Sequence, residues 1–162
     1  MTVKDTVLIV DDDTRARHAA ETLLRSRGLQ ARAAHDATEA CDIICCEGAA
    51  VVVLDPVSPG MRGFELLRRI HGRFETRTLP MQPRVVIVTE SVEAEVERSV
   101  RQMGADVILR KPLLPAQFIA AIEQQLRGRA TPSTLAYHGE PNRLRDDGEF
   151  MAPSSVCNRY PL

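Results

Sequence analysis

Short, continuous apolar runs recur along the first 127 residues and alternate with segments whose apolar residues fall at helical spacing. Continuous rather than alternating apolar runs indicate strands that are buried on both faces, which is typical of a parallel sheet covered by helices. The runs predict strands at residues 7–10, 51–54, 84–88 and 107–110. Residues 30–34, Gln-Ala-Arg-Ala-Ala, make a weaker fifth strand.

The segments between these strands predict the covering helices. Gly28 and Gly48 mark helix ends, because glycine readily adopts the left-handed conformation that terminates many helices. The second helix is expected at residues 37–47, where an apolar stripe would bury Cys41 and Cys45 as small core residues. Right-handed crossovers then give an α/β fold, a doubly wound five-stranded parallel sheet with helices on both faces.

Composition narrows the classes of function. The chain has 162 residues, enough for one domain with a proper core, and a formal net charge of -1, which offers no basic field for nucleic acid. No apolar stretch approaches the ~20 residues that span a membrane, and the N-terminus lacks the layout of a signal peptide. A cytoplasmic protein without membrane contact and without direct DNA binding is therefore expected.

The pattern changes from Gly128 onward. Four of the ten prolines fall there, the charges are mixed and no periodicity is sustained. Because such a segment cannot build a core, we expect a domain over residues 1–127 and a flexible tail over residues 128–162. The alternative is a tail that docks through its scattered apolar residues onto a partner or onto the domain.

Polar groups of different kinds follow four of the predicted strands. They are Asp11-Asp12-Asp13, Asp55, Thr89 and Lys111. Since the carboxyl ends of parallel strands meet at one edge of a sheet, these groups are expected to form one site. Carboxylates, a hydroxyl and an ammonium suit a divalent cation and a phosphoryl group. Each residue alone has an ordinary alternative, such as a helix cap for Asp13 or a surface charge for Lys111.

This ordered set of residues resembles the receiver domain of bacterial two-component response regulators. The matching segments are Val10-Asp11-Asp12, Leu54-Asp55, Pro59-Gly60-Met61-Arg62-Gly63, Thr89, Gly104-Ala105-Asp106 and Lys111-Pro112. The resemblance covers residues 5–127 and implies a (βα)5 flavodoxin-like fold in a stand-alone regulator similar to the chemotaxis regulator. In that family the Lys-Pro peptide bond is usually cis, and an X-Pro bond is where the cis form costs least.

The resemblance also implies a phosphorylation site that uses Mg2+. Asp55 would be the phosphoacceptor, forming an aspartyl-phosphate with a phosphohistidine donor. Asp12 and Asp55 would coordinate Mg2+, with Asp11 nearby and the backbone carbonyl of Val57 as a main-chain ligand.

Two further residues complete the implied site. Lys111 would stabilise charge on the transferring oxygens, and the hydroxyl of Thr89 would contact the phosphoryl group. The implied partners are a histidine kinase or phosphotransfer protein and a downstream protein, with a homodimer left open. The expected role is a signalling switch or a phosphate relay rather than an enzyme, since the chain would assist only its own phosphorylation and dephosphorylation.

Four positions depart from the family pattern. Pro56 follows the phosphoacceptor and lacks an N–H, and Glu90 stands where a small residue is usual. Ile108 replaces an aromatic residue, and Leu113 stands where Phe usually follows Lys-Pro. These departures predict that the charged phosphorylation site is intact and that the response of the protein to phosphorylation differs from that of the family. They also keep open a degenerate receiver that acts as a phosphorylation-independent interaction or dimerisation module. A phosphatase of the haloacid dehalogenase type is disfavoured, because Val57 stands where that class needs a second acid.

Overall fold

The computed structural model describes residues 5–71, 82–90 and 93–128. These residues form a single five-stranded sheet with the strand order β2-β1-β3-β4-β5, and every neighbouring pair of strands is parallel. The elements in chain order are β1 (Thr6–Val10), α1 (Thr14–Ser26), β2 (Gln30–Ala34), α2 (Ala37–Cys46), β3 (Val51–Leu54), α3 (Gly63–Ile70), β4 (Arg84–Thr89), α4 (Ala94–Gln102), β5 (Val107–Arg110) and α5 (Pro115–Arg127). The predicted fold is confirmed, and each predicted strand matches the observed one to within one residue at either end.

Each face of the sheet carries its own hydrophobic core. Helices α1 and α5 cover one face, where Phe118 lies in the same core cluster as strand residues such as Ile9. Helices α2, α3 and α4 cover the other face, where Leu67 packs in the same cluster as Leu8. Neighbouring residues of β1 therefore enter opposite cores, because side chains alternate across a strand. Packing on both faces holds the strands in place, and with them the residues that follow their carboxyl ends.

The start of α1 is set by an aspartate of the Asp11-Asp12-Asp13 run. Asp13 Oδ1 accepts hydrogen bonds from the backbone N–H groups of Arg15, at 2.8 Å, and Ala16, at 3.4 Å. These contacts satisfy donors that the first turn of a helix leaves without intrahelical partners. Asp13 is thus the N-cap of α1, as expected, and Asp11 and Asp12 precede the helix.

Helix α2 buries most of the predicted stripe, with Cys45 as the exception. Its buried residues are Ala40, Ile43 and Ile44, whereas Cys41 is half-buried and Cys45 is exposed. The prediction that both cysteines pack in the core is wrong for Cys45, because Ile43 takes an inward position that the predicted stripe did not include. Partial desolvation raises the pKa of both thiols, which favours the protonated and less reactive form.

The predicted tail over residues 128–162 lies outside the described residues apart from Gly128, which directly follows α5. Among the helices described, none combines the length and the apolar character needed to cross a membrane.

Candidate functional site

The carboxyl edge of the sheet collects the predicted site residues. Asp11 follows β1, Asp55 follows β3, Thr89 ends β4 and Lys111 follows β5. Since β1, β3, β4 and β5 are successive neighbours in the sheet, these four residues stand along one edge. Asp55 and Thr89 are only 8% and 4% exposed, and they are the buried polar or charged residues of the described chain. Polar groups buried at this edge need specific partners.

Lys111 is the cation at the centre of the site. Its Nζ donates a hydrogen bond to Asp55 Oδ2 at 2.8 Å and lies 3.7 Å from Asp11 Oδ2. Its backbone N–H donates to the carbonyl oxygen of Thr89 at 3.0 Å, which ties the end of β5 to the end of β4. The Lys111-Pro112 peptide bond is cis, as the family resemblance implied. Strand ends that are far apart in sequence therefore place one ammonium between two carboxylates.

The electrostatics of the site follow from partial burial. Burial disfavours the charged ammonium, but the hydrogen bond and charge of Asp55, with the charges of Asp11 and Glu90, outweigh it and raise the pKa of Lys111. Burial also raises the pKa of the Asp11 carboxyl, and the negative charges of Asp12 and Asp55 act in the same direction. The backbone N–H of Asp13 and the charge of Lys111 oppose that rise without cancelling it. The rise at Asp11 is therefore mainly an effect of burial, to which the neighbouring carboxylates add.

The two aspartates that precede the α1 cap have different partners. Asp11 Oδ1 accepts the backbone N–H of Asp13 at 2.9 Å, and the carbonyl oxygen of Asp11 accepts from Arg17 Nη1 at 2.6 Å. Asp12 is exposed, and its Oδ1 accepts a hydrogen bond from Ser58 Oγ. Sequence reasoning missed both Arg17 and Ser58. The only sequence signal for Ser58 was its hydroxyl group in the loop that directly follows Asp55.

The loop between β3 and α3 is shaped by Pro56 and Gly63. A Cβ on residue 63 would stand 2.6 Å from the Cα of Pro56, a distance that requires glycine there unless the loop moves. Although Pro56 has no N–H to donate, the N–H of Val57 donates to Asp55 Oδ1 at 3.0 Å. Asp55 therefore uses both carboxylate oxygens, one toward the loop backbone and one toward Lys111.

The other departures from the family pattern lie at the margin of the site. Glu90 is exposed, directly follows Thr89, and is near enough to Lys111 for its charge to raise the lysine pKa. Ile108 on β5 is partly buried against the core beneath α2, α3 and α4. Leu113, which follows the cis bond, packs against the opposite core. Both apolar side chains are therefore engaged in packing.

The donor chemistry of this edge fits a hard divalent cation. Asp12 and Asp55 offer carboxylate oxygens, and the loop after Asp55 adds backbone carbonyl oxygens. Among the described residues, no three His, Cys, Asp or Glu side chains are grouped so as to hold a metal by themselves. Magnesium does not require such a group, since it usually keeps several waters and uses one or two carboxylates together with phosphate oxygens.

Comparison with known proteins defines the class. The model of the response regulator receiver domain family matches residues 7–123. The chain therefore belongs to the response regulator receiver domain family, whose members are signalling modules of two-component systems. The fold class and the family resemblance predicted from the sequence are both confirmed.

Individual relatives agree with this assignment. The transcriptional regulatory protein GltR of Pseudomonas aeruginosa is 32% identical over 122 residues, which cover 75% of this chain and 48% of that protein. The chain thus spans about half the length of this curated relative. A CheY-like receiver domain protein of Methanospirillum hungatei has a TM-score of 0.68 at 27% identity, covering 77% of this chain and 95% of that one. The receiver domain of NtrX from Brucella abortus has a TM-score of 0.65 at 28% identity, covering 75% and 98%.

Proposed function

We propose that this receiver is phosphorylated on Asp55 in the presence of Mg2+, and that phosphorylation changes its contacts with a downstream protein or passes the phosphoryl group onward. The observation that carries the proposal is the position of Lys111 Nζ, 2.8 Å from Asp55 Oδ2 and 3.7 Å from Asp11 Oδ2. A fixed cation beside a buried carboxylate can stabilise the charge of a transferring phosphoryl group without reorganising during the reaction.

The chemistry follows from the placement of the side chains. A carboxylate oxygen of Asp55 attacks the phosphorus of the donor, so that the new P–O bond forms as the P–N bond to the donor histidine breaks. The histidine nitrogen leaves with its electron pair. Lys111 stays beside the new aspartyl-phosphate and compensates its charge. Thr89, buried at the end of β4, would offer its hydroxyl to the phosphoryl oxygens.

Asp12 and Asp55 would hold Mg2+, with Asp11 nearby and the carbonyl of Val57 as a main-chain ligand. When bound, the cation supplies positive charge that neutralises the acceptor carboxylates and the phosphoryl oxygens. The grouping of the carboxylates supports this assignment, because Asp11 and Asp55 both lie beside the ammonium of Lys111 and Asp12 is adjacent in the chain.

The proposed partners are a histidine kinase or phosphotransfer protein as donor and a downstream protein as target. A phosphoryl group adds about -1.5 to -2 charges at neutral pH, enough to bias a two-state surface. We propose a cytoplasmic module that does not itself contact DNA, in keeping with its net charge of -1. A homodimer is compatible with this role.

Intact-mass spectrometry with acetyl phosphate, with and without Mg2+, tests the proposal. We expect a gain of one phosphoryl group that requires Mg2+ and is abolished in Asp55→Asn. The matched control is Asp106→Asn, which alters an aspartate at the other edge of the sheet and should still be modified. A folded protein that gains no mass under any of these conditions would contradict phosphorylation on Asp55. That result would favour a phosphorylation-independent interaction module.

A further inference from the structure

The β3–α3 loop and the β1–α1 loop are joined by one hydrogen bond between side chains 46 positions apart in sequence. We propose that Ser58, through this bond to Asp12, is a positioning residue for the divalent cation. The inference rests on the proposed function, because it assigns Ser58 a part in the same site. Ser58 would not itself touch the metal or the phosphoryl group.

The three consecutive aspartates are held in three different ways. Asp13 caps α1, and Asp11 is fixed by the N–H of Asp13 and by its proximity to Lys111. Asp12 lacks both kinds of support and is exposed, so its carboxylate would sample several rotamers if nothing held it. Within the described residues, the hydroxyl of Ser58 is the group that orients it.

The bond leaves Asp12 able to act as a ligand. A carboxylate has two oxygens with about four lone-pair sites, whereas a serine hydroxyl donates one proton. Ser58 therefore occupies one acceptor site and leaves the others open to a cation. By fixing the carboxylate before the cation arrives, the bond lowers the ordering entropy that binding would otherwise cost.

The position of Ser58 connects metal binding to the phosphoacceptor. Ser58 lies on the loop that begins at Asp55, and the N–H of Val57 on that loop already donates to Asp55 Oδ1. The Ser58–Asp12 bond thus joins the loop that begins at Asp55 to the second carboxylate that would share the cation. Losing the hydroxyl would loosen Asp12 and the loop together, while Lys111 and Asp55 would keep their own contact.

Titration with MgCl2, followed by amide shifts in two-dimensional NMR spectra, measures this effect without phosphorylation. We expect Ser58→Ala to raise the Kd for Mg2+ about tenfold, as is typical when a residue that orients a metal ligand is lost. Ser58→Thr keeps the hydroxyl and should restore binding to within about twofold of the original chain. The melting temperature of Ser58→Ala without Mg2+ should match that of the original chain, which a merely structural role would not give.

The rate of phosphorylation distinguishes an effect on Mg2+ affinity from an effect on phosphoryl transfer. The rate of phosphorylation of Ser58→Ala by acetyl phosphate should be reduced at limiting Mg2+ and should return to the original rate at saturating Mg2+. A reduction that persists at saturation would overturn the positioning role, because it would place Ser58 in the transfer step itself.

The outcomes also separate this inference from the proposed function. If Asp12→Ala abolishes saturable Mg2+ binding and Ser58→Ala leaves the Kd unchanged or lower, the metal site stands and the role of Ser58 is refuted. If the original chain shows no saturable Mg2+ binding, the proposed function fails at the metal and the inference falls with it.

Discussion

Two acid–base pairs of the same length lie at opposite edges of the sheet. At the edge where β4 and β5 begin, Arg84 Nη1 lies 2.8 Å from Asp106 Oδ1, and Asp106 Oδ2 accepts the N–H of Val85 at 2.7 Å. At the edge where these strands end, Lys111 Nζ lies 2.8 Å from Asp55 Oδ2. The distances are equal, but the surroundings differ.

The Asp106 pair is balanced, with one carboxylate facing one guanidinium and a strand N–H. At the Asp55 pair, Lys111 faces a second carboxylate, Asp11, and the charge of Asp12 is also felt there. Because like charges in a partly buried site oppose folding, surplus negative charge is difficult to explain by stability alone. Whether an ion pair is structural or functional therefore depends on the other charged groups that surround it.

Removing Lys111 should have the largest effect. We expect Lys111→Ala to slow phosphorylation of Asp55 by acetyl phosphate about 100-fold, since removal of one preorganised charge-stabilising group commonly costs that much. The time course of mass gain at saturating Mg2+ measures it. Arg84→Ala removes the cation of the other pair and should leave the rate within about twofold. Equal losses in the two variants would erase the distinction between the pairs.

The Asp106 pair should matter for stability instead. Asp106→Ala leaves the N–H of Val85 at the buried start of β4 without this acceptor, so we expect a loss of about 2 kcal/mol in the free energy of unfolding. Urea denaturation followed by circular dichroism measures the change. Asp106→Asn can keep an acceptor oxygen and should lose less. If Asp106→Ala unfolds at the same urea concentration as the original chain, this pair contributes nothing structural.

Neutralising Asp11 should act in the opposite direction. The folded-state pKa of Asp11 is raised above its ordinary value of 3.8, so its ionisation opposes folding once the pH exceeds that raised pKa. Asp11→Asn should therefore stabilise the metal-free protein at neutral pH by less than about 1 kcal/mol. The gain should shrink as the pH falls through the raised pKa toward 3.8. Denaturation curves in chelator at several pH values measure the gain, and a variant less stable than the original chain at pH 7 would contradict a raised pKa of Asp11 in the folded state.

The smallest effect is expected at Glu90. Its exposed carboxylate adds negative charge near Lys111, and an anionic donor must approach that charge. Glu90→Gln should increase the phosphorylation rate by acetyl phosphate about two- to threefold at low ionic strength, and the increase should fade as salt screens the charge. If the original chain and Glu90→Gln are phosphorylated at the same rate at both low and high salt, the charge of Glu90 does not slow the approach of the donor.

Strands β1, β3 and β4 could be predicted almost to the residue because burial on both faces forces continuous apolar runs, and such runs end where the chain leaves the sheet. The edge strand β2 has exposed polar residues and gave a weaker pattern. The same logic located Asp11, Asp55, Thr89 and Lys111 at one edge. The inward face of α2 was harder to predict. Apolar residues occupy more than one side of that helix, and packing against the sheet, which selected Ile43 over Cys45, is not visible in the spacing.

Contacts within the loops were beyond sequence reasoning for a different reason. The bond from Ser58 to Asp12 and the bond from the N–H of Val57 to Asp55 depend on local turn geometry and side-chain rotamers, which follow no period. For Pro56, the sequence correctly indicated a missing donor. The sequence could not indicate that the N–H of Val57 would donate to Asp55 instead.

The close approach of Gly63 to Pro56 has a consequence for genetic screens. Residue 63 bears no functional group, yet a methyl group there would meet the Cα of Pro56 at 2.6 Å and the carbonyl oxygen of Asp55 at 3.1 Å. Signalling-defective alleles should therefore arise at Gly63 as readily as at the charged positions. Such alleles would report a misshapen phosphoacceptor loop, and the encoded proteins would still carry every group that the chemistry uses.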